Sequence, residues 1–213
     1  RRYDVMDPRL KRAAHAMLTF NSPLSEARAA ELVRDLPLAP GRHVLDLCCG
    51  WAELLLRIVE AHPAVTGTGV DTERTLLARA SAQVVRRGLH RRVELVESDV
   101  TTFADHGDLV ICVGGAHAFG GTDGALVALA DRLEQGGTLL LGDGFWEQPP
   151  TPGAQELFGD LYDWDGLLAA ADTAGYSIDA ADRSSLAEWD RFEAAWTAGP
   201  TATGDVALRA EGA

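Results

Sequence analysis

The apolar residues of this 213-residue chain fall into short clusters, and from residue 43 to 141 these clusters alternate between two periods. His43–Leu47, Val65–Val70, Arg92–Glu97, Leu109–Val113 and Thr138–Leu141 are apolar runs of strand length. Ala52–Ala61, Glu73–Arg87 and Gly124–Leu133 carry apolar residues at helical spacing. Leu54, Leu55, Ile58 and Val59 mark one face of the first of them. Gly88 closes the second helix and Gly136-Gly137 the third. Leu109–Val113 is almost wholly apolar, as a strand buried on both faces must be. Strands and helices alternating through short Gly-containing connections predict parallel βαβ units. The expected fold is α/β, a Rossmann-like, doubly wound, mainly parallel sheet.

The flanks are less regular. Pro8–Leu18 is short and weakly amphipathic. Ser22 before Pro23 predicts a helix start. That helix is expected to run to about Leu36, with Leu24, Ala27, Leu32 and Leu36 inward, and Pro37 and Pro40-Gly41 stop it. Residues 1–36 are thus expected to form a helical cap on one domain spanning 1–213. Downstream, Gln148–Gly153 reads as a loop, Asp163–Thr173 as a helix, Gly175–Asp182 as a strand and Ser184–Ala198 as a helix. Val206–Arg209 is a candidate last strand. The C-terminal edge of the sheet is expected to be shortened.

Charge narrows the function. Nineteen Lys and Arg against 32 Asp and Glu leave a formal charge of −13. The basic residues are dispersed, so a phosphate backbone is a poor partner and nucleic acid is not expected. No apolar run approaches the ~18–20 residues that span a bilayer, so no membrane partner is expected. The polar start shows no secretory signal. Cys48, Cys49 and Cys112 lack metal-ligand spacing, and a disulfide between adjacent Cys48 and Cys49 would be strained. Reduced thiols of a cytoplasmic protein are the expectation.

In an open α/β sheet, ligands bind beyond the carboxyl ends of the strands, so the residues after each strand carry the chemistry. The turn after the first strand runs Asp46-Leu47-Cys48-Cys49-Gly50-Trp51-Ala52-Glu53. It holds one glycine where a pyrophosphate site uses three. S-adenosylmethionine (SAM) carries no phosphate. It has a sulfonium, an ammonium and a carboxylate, and Asp46 suits that cationic cargo. Asp71 ends the second strand and can accept both hydroxyls of a ribose. The alternative is a cap on the following helix, a role Thr72 can take instead. Asp99, after the third strand, can accept the amino group of adenine, with Val100 offering its N–H and an apolar edge. A turn cap remains the alternative for Asp46. The ordered set Asp46, Gly50, Asp71 and Asp99 says more than any member.

On these residues the chain resembles a known family. LDLCCGWAELL, GTGVDTERTLLARA, RVELVESDV and DLVICVGGAHAFGG look like motifs I to IV of class I SAM-dependent methyltransferases. The resemblance covers Pro23 to about Thr197. It is closest to actinobacterial small-molecule methyltransferase-like proteins with a GDGFWE-P-P-T-P stretch, matched by Gly142–Pro152. It implies that Asp46, Cys48, Gly50 and Trp51 hold the methionine portion, Asp71 the ribose and Asp99 the adenine, with Val113 and Gly114 beside the sulfonium. The family's motif I has glycine where this chain has Cys48 and Ala52. Both added side chains are expected to crowd the loop nearest the methionine group.

Methyl transfer needs an aligned nucleophile and, for a protonated acceptor, a base. His117, after the fourth strand, is the first candidate, and Glu147, after the fifth, is the second. Phe119 and Trp146 are candidate pocket walls. Phe20 and Asn21 precede a helix that closes over SAM in the family, and Tyr3 and His15 are candidates to join that lid. The leading expectation is methyl transfer to a small molecule in specialised metabolism. One alternative is intramolecular alkyl transfer, forming azetidine-2-carboxylate and releasing methylthioadenosine. Another is a non-catalytic subunit or SAM sensor, which would associate as a homodimer or with a different chain.

Overall fold

A computed structural model describes residues 7–202. The chain divides into two compact units. The larger comprises residues 27–147 and 162–179 and contains the sheet. The smaller comprises 7–26, 148–161 and 180–202 of the described residues.

The larger unit follows the alternation read from the sequence. Strand β1 is His43–Leu47, β2 Thr66–Asp71, β3 Val93–Glu97, β4 Gly107–Val113 and β5 Leu133–Gly142. The sheet order is β3-β2-β1-β4-β5, and every neighbouring pair is parallel. The order reverses between β1 and β4, which makes their carboxyl ends the switch point where a ligand crevice opens. Central strands bury both faces: Val44, Leu45, Leu47, Val110 and Cys112 are fully buried.

Helix α2 is Glu26–Asp35, α3 is Glu53–Ala61, α4 is Arg74–Arg86, α5 is Thr122–Ala130 and α7 is Trp164–Thr173. Leu55 and Val59 of α3 approach β2 closely because β2 has glycine beneath them. A Cβ on Gly67 would stand 2.6 Å from Leu55 Cδ1, and one on Gly69 3.0 Å from Cys49 Sγ. Arg57 and Arg87 both bind the Glu53 carboxylate, so α3 is tied to the end of α4 by a partly buried ion cluster.

The smaller unit pairs α1, Pro8–Ala16, with α8, Leu186–Ala202; α6, Pro152–Phe158, also belongs to it. Gly199 permits the helix contact, since a side chain there would run into the Ala13 carbonyl. The buried Glu188 carboxylate accepts from the Ser25 N–H at 3.2 Å and the Ser185 N–H at 2.8 Å.

Four expectations change. The helix expected from Ser22 begins at Glu26, because the Ser25 N–H is committed to Glu188 and the Leu24 N–H to Ser22 O. Its inward residues are Ala29 and Val33, whereas Ala27 is exposed. Gly136-Gly137 does not end a helix. Gly107 pairs with Leu133 and Leu109 with Thr138, so residues 134–137 bulge from β5, and Gly136 takes φ +74° there. Gly175–Asp182 forms no strand. The Tyr176 N–H caps α7 by donating to Ala171 O, and its hydroxyl donates to Leu126 O. Ile178 is left exposed. Residues Pro152-Gly153, expected in a loop, open α6, with the Thr151 hydroxyl accepting from the Ala154 N–H. Val206–Arg209 lies outside the described residues, among which the sheet ends at β5.

Candidate functional site

The residues read from the sequence at the ends of β1 to β4 lie along the carboxyl edge of the sheet, and Trp146 and Glu147 follow β5. Asp46 is the register partner of Ile111 on β4 and of Gly69 on β2. It is 5% exposed, and no hydrogen bond from a described residue reaches its carboxyl, whose environment is set by burial and by Asp71. Burial, and next the charge of Asp71, push its carboxyl up to about 8. A buried carboxyl with no donor costs free energy unless it is neutral or paired with a cation.

Asp71 takes two backbone bonds at once. One oxygen accepts from the Gly50 N–H and the other from the Glu73 N–H, each at 2.8 Å. The first bond ties the β1 turn to the β2 end; the second is a turn at the head of α4. Asp71 therefore holds the turn before α4 and is not its cap residue, a position that Glu73 occupies. Each oxygen keeps a second lone pair, so hydroxyl donors can still be accepted. Thr72 does not cap α4: the cap position is Glu73, with no side-chain bond.

Asp99 is exposed. Its Oδ1 accepts from the Thr101 N–H at 2.8 Å and the Thr101 hydroxyl at 2.7 Å. Those two bonds, the hydroxyl first, lower its pKa and keep it an ionised acceptor. Val100 beside it is buried.

The β1 turn is strained. Cys48 has φ +63° and Ala52 φ +56°, with Gly50 at +56° between them. Left-handed backbone costs a residue with a Cβ about 1–2 kcal/mol. The Cys48 side chain turns toward the β4 end, where its Sγ lies 3.9 Å from Gly115 O, and Ala52 is buried at the start of α3. The two side chains show as backbone strain at Cys48 and as core packing at Ala52. Trp51 is 3% exposed, and the Arg79 guanidinium sits 4.1 Å over its ring. Sequence reasoning missed Arg79, because nothing in the spacing of α4 singles out one arginine among several.

After β4, Gly114 donates to Gly142 O at 2.8 Å, joining the β4 and β5 ends. His117 follows in a single 3₁₀ turn, Ala116–Phe119. Its ring is exposed, and Nδ1 lies 3.1 Å from Gly114 O. A carbonyl only accepts, so Nδ1 carries the proton and Nε2 the lone pair. Phe119 packs on the sheet core with Leu139 and Leu141. The Asp143 carboxylate accepts from the Thr122 hydroxyl at 2.6 Å and fixes the start of α5. Trp146 donates its N–H to Tyr162 O at 2.7 Å, and Phe145 meets Trp164 edge-on at 5.3 Å. Glu147 is exposed.

The expected lid residues fall in the smaller unit. His15 is buried and meets Trp196 edge-on at 5.3 Å. Phe20 is buried and Asn21 exposed. Tyr3 lies outside the described residues.

Known proteins resemble this arrangement. A family model described as a methyltransferase domain matches residues 44–137. An uncharacterised Escherichia coli (strain K12) protein, YjhP, is 31% identical over 196 residues, covering 88% of this chain and 79% of the relative. The crystal structure of a Geobacter sulfurreducens SAM-dependent methyltransferase in complex with S-adenosyl-L-homocysteine is 29% identical with a TM-score of 0.83, covering 97% of this chain and 87% of that one. A Thiobacillus denitrificans SAM-dependent methyltransferase, also with S-adenosyl-L-homocysteine, is 27% identical at a TM-score of 0.83, covering 97% and 88%.

Proposed function

Because this chain belongs to the class I SAM-dependent methyltransferases, we propose that it methylates a small-molecule acceptor of specialised metabolism in the cytoplasm. The observation that carries the site is Asp46, a buried carboxyl pushed up to about 8 with no donor among the described residues. An ammonium is the ligand group that satisfies it. The single-glycine turn, poor for a pyrophosphate, fits the same phosphate-free ligand.

When bound, SAM supplies an electrophilic methyl group on its sulfonium and leaves as S-adenosylhomocysteine. Asp46 offsets the ammonium charge. Asp71, while holding Gly50, accepts ribose hydroxyls, and ionised Asp99 accepts the adenine amino group beside Val100. Val113 and Gly114 line the sulfonium end. His117 Nε2 is the free basic atom at the β4 end and takes the acceptor's proton. Glu147 is the second base, and Trp146 and Phe119 bound the acceptor side. Most of the rate comes from holding acceptor and methyl carbon in line.

Small-molecule chemistry is supported by the aromatic residues after β4 and β5 and by the charge of −13, which opposes a nucleic-acid acceptor. The test is mass spectrometry of the protein with SAM alone and with an acceptor library of amines, alcohols and carboxylic acids. S-adenosylhomocysteine that appears only with an acceptor supports the reading and identifies the acceptor. Methylthioadenosine from SAM alone replaces it with the intramolecular route. No turnover across the library removes the small-molecule assignment.

A further inference from the structure

The mechanism leaves two thiols unused at the switch point. Asp46 and Ile111 are register partners on β1 and β4, so Cys48 and Cys112 sit at the carboxyl ends of adjacent strands. That register sets Cys112 level with Leu47 and one residue short of Cys48, so about 4.8 Å between strands and about 3.3 Å of rise give a Cα separation of about 6 Å, within the ~4.4–6.8 Å that a disulfide accepts. Gly115 leaves the space between them open. A Cβ there would stand 2.9 Å from the Cys112 Sγ, 2.9 Å from the Cys48 Sγ and 2.8 Å from the Cys48 Cβ. Both sulfurs therefore point into one small gap. Cys49 turns elsewhere, its Sγ lying 3.0 Å from where a Cβ on Gly69 would stand.

We propose that Cys48 and Cys112 form an oxidisable thiol pair, and that closing it as a disulfide weakens SAM binding by distorting the β1 turn. Cys48 is half-buried and Cys112 fully buried, so a peroxide reaches Cys48 first. The Cys48 thiolate attacks one peroxide oxygen, giving a sulfenic acid and releasing water. The Cys112 thiolate then attacks the Cys48 sulfur, and the second water leaves with the hydroxyl. The two thiols give up two electrons in all, and the peroxide takes them. The Cys112 thiol is held well above its usual range, first by its contact with the Cys48 thiol and then by burial. The consequence follows from the turn itself. Cys48 already holds φ +63°, two residues before the Gly50 N–H that Asp71 anchors. A covalent pull on its sulfur is transmitted to that N–H.

The test treats the folded protein with hydrogen peroxide and digests it without reduction. Cys48 and Cys49 share a tryptic peptide, so Cys49→Ala is run in parallel. The expected result is a Cys48–Cys112 cross-link, lighter by two hydrogens, in both proteins and absent from Cys112→Ala. SAM affinity falls at least tenfold on oxidation and returns with dithiothreitol. Should Cys112→Ala not fold, Cys48→Gly serves as the control that lacks one thiol of the pair, since glycine accepts the same φ. Oxidation that stops at a Cys48 sulfenic or sulfinic acid, or a link through Cys49, overturns the pair. A cross-linked protein with unchanged SAM affinity overturns the switch. The cross-link is read without reference to turnover, so its absence is distinct from any failure of the acceptor assignment.

Discussion

At the residue scale the decisive group is Asp46. Its carboxyl titrates from an ordinary 3.8 in the unfolded chain to about 8 in the folded one. Between those values the folded state binds more protons, so this residue's contribution to stability falls as pH rises from about 4 to about 8. Asp46→Asn removes that slope. Chemical denaturation of the variant should show greater stability than the original at pH 8 and little difference at pH 4. Equal stability at pH 8 would mean that Asp46 is solvated. The strained turn gives a second prediction. Cys48→Gly and Ala52→Gly each relieve a left-handed Cβ, at φ +63° and +56°, against a larger loss of unfolded-chain entropy for Gly. Each should raise the unfolding free energy by about 0.5–1 kcal/mol. Ala52 also loses a buried methyl, so its gain should be the smaller. Destabilisation by Cys48→Gly would show that its side-chain packing outweighs the backbone cost.

Residues at this scale were legible in the sequence to the extent that position alone decides them. Asp46, Asp71 and Asp99 each lie at or just past the carboxyl end of a strand, and strand ends are readable from apolar runs. What the sequence did not show is which way each side chain turns. Asp71 binding both Gly50 and Glu73, and Cys48 facing Gly115, depend on φ angles that no spacing encodes. Thr72 looked like a cap from its residue type, but Glu73 occupies the cap position.

At the element scale the central unit is the β1–α3–β2–α4 segment. Two features lock it: glycines on β2 under α3, and Glu53 between Arg57 and Arg87. Gly67→Ala places a Cβ 2.6 Å from Leu55 Cδ1 and 3.2 Å from Val59 Cγ2. Such overpacking costs about 1–3 kcal/mol. Urea denaturation should give a loss in that range, and Leu55→Val in the same background should recover part of it. A neutral Gly67→Ala would mean that α3 rides loosely on β2. Elements in this segment were the most legible, because their apolar periods are unbroken. The misreadings cluster where glycine and proline have two uses. Gly136-Gly137 serves a bulge in β5, and Ser22-Pro23 precedes the helix without starting it. In both cases a distant partner decides: the register with β4, and the Glu188 carboxylate.

At the scale of the whole molecule, the sheet order β3-β2-β1-β4-β5 brings the strand-end carboxylates to one edge and sets the reversal between β1 and β4. Methyltransferase membership follows from that arrangement together with the sequence relatives. The acceptor does not, since pocket walls in this fold come from loops and from elements outside the alternating core. The charge of −13 bears on it only by exclusion.

The most direct test of the account is calorimetric titration of SAM at pH 7 into the original protein and into Asp46→Asn. The buried carboxyl is the proposed seat of the ligand's ammonium, and the asparagine variant is expected to be at least as stable. Lost affinity in it therefore reports the site and not unfolding. The expected result is a Kd at least tenfold weaker in Asp46→Asn, a difference of about 1.4 kcal/mol or more. SAM binding to Asp46→Asn as tightly as to the original would contradict it and move the ammonium away from β1.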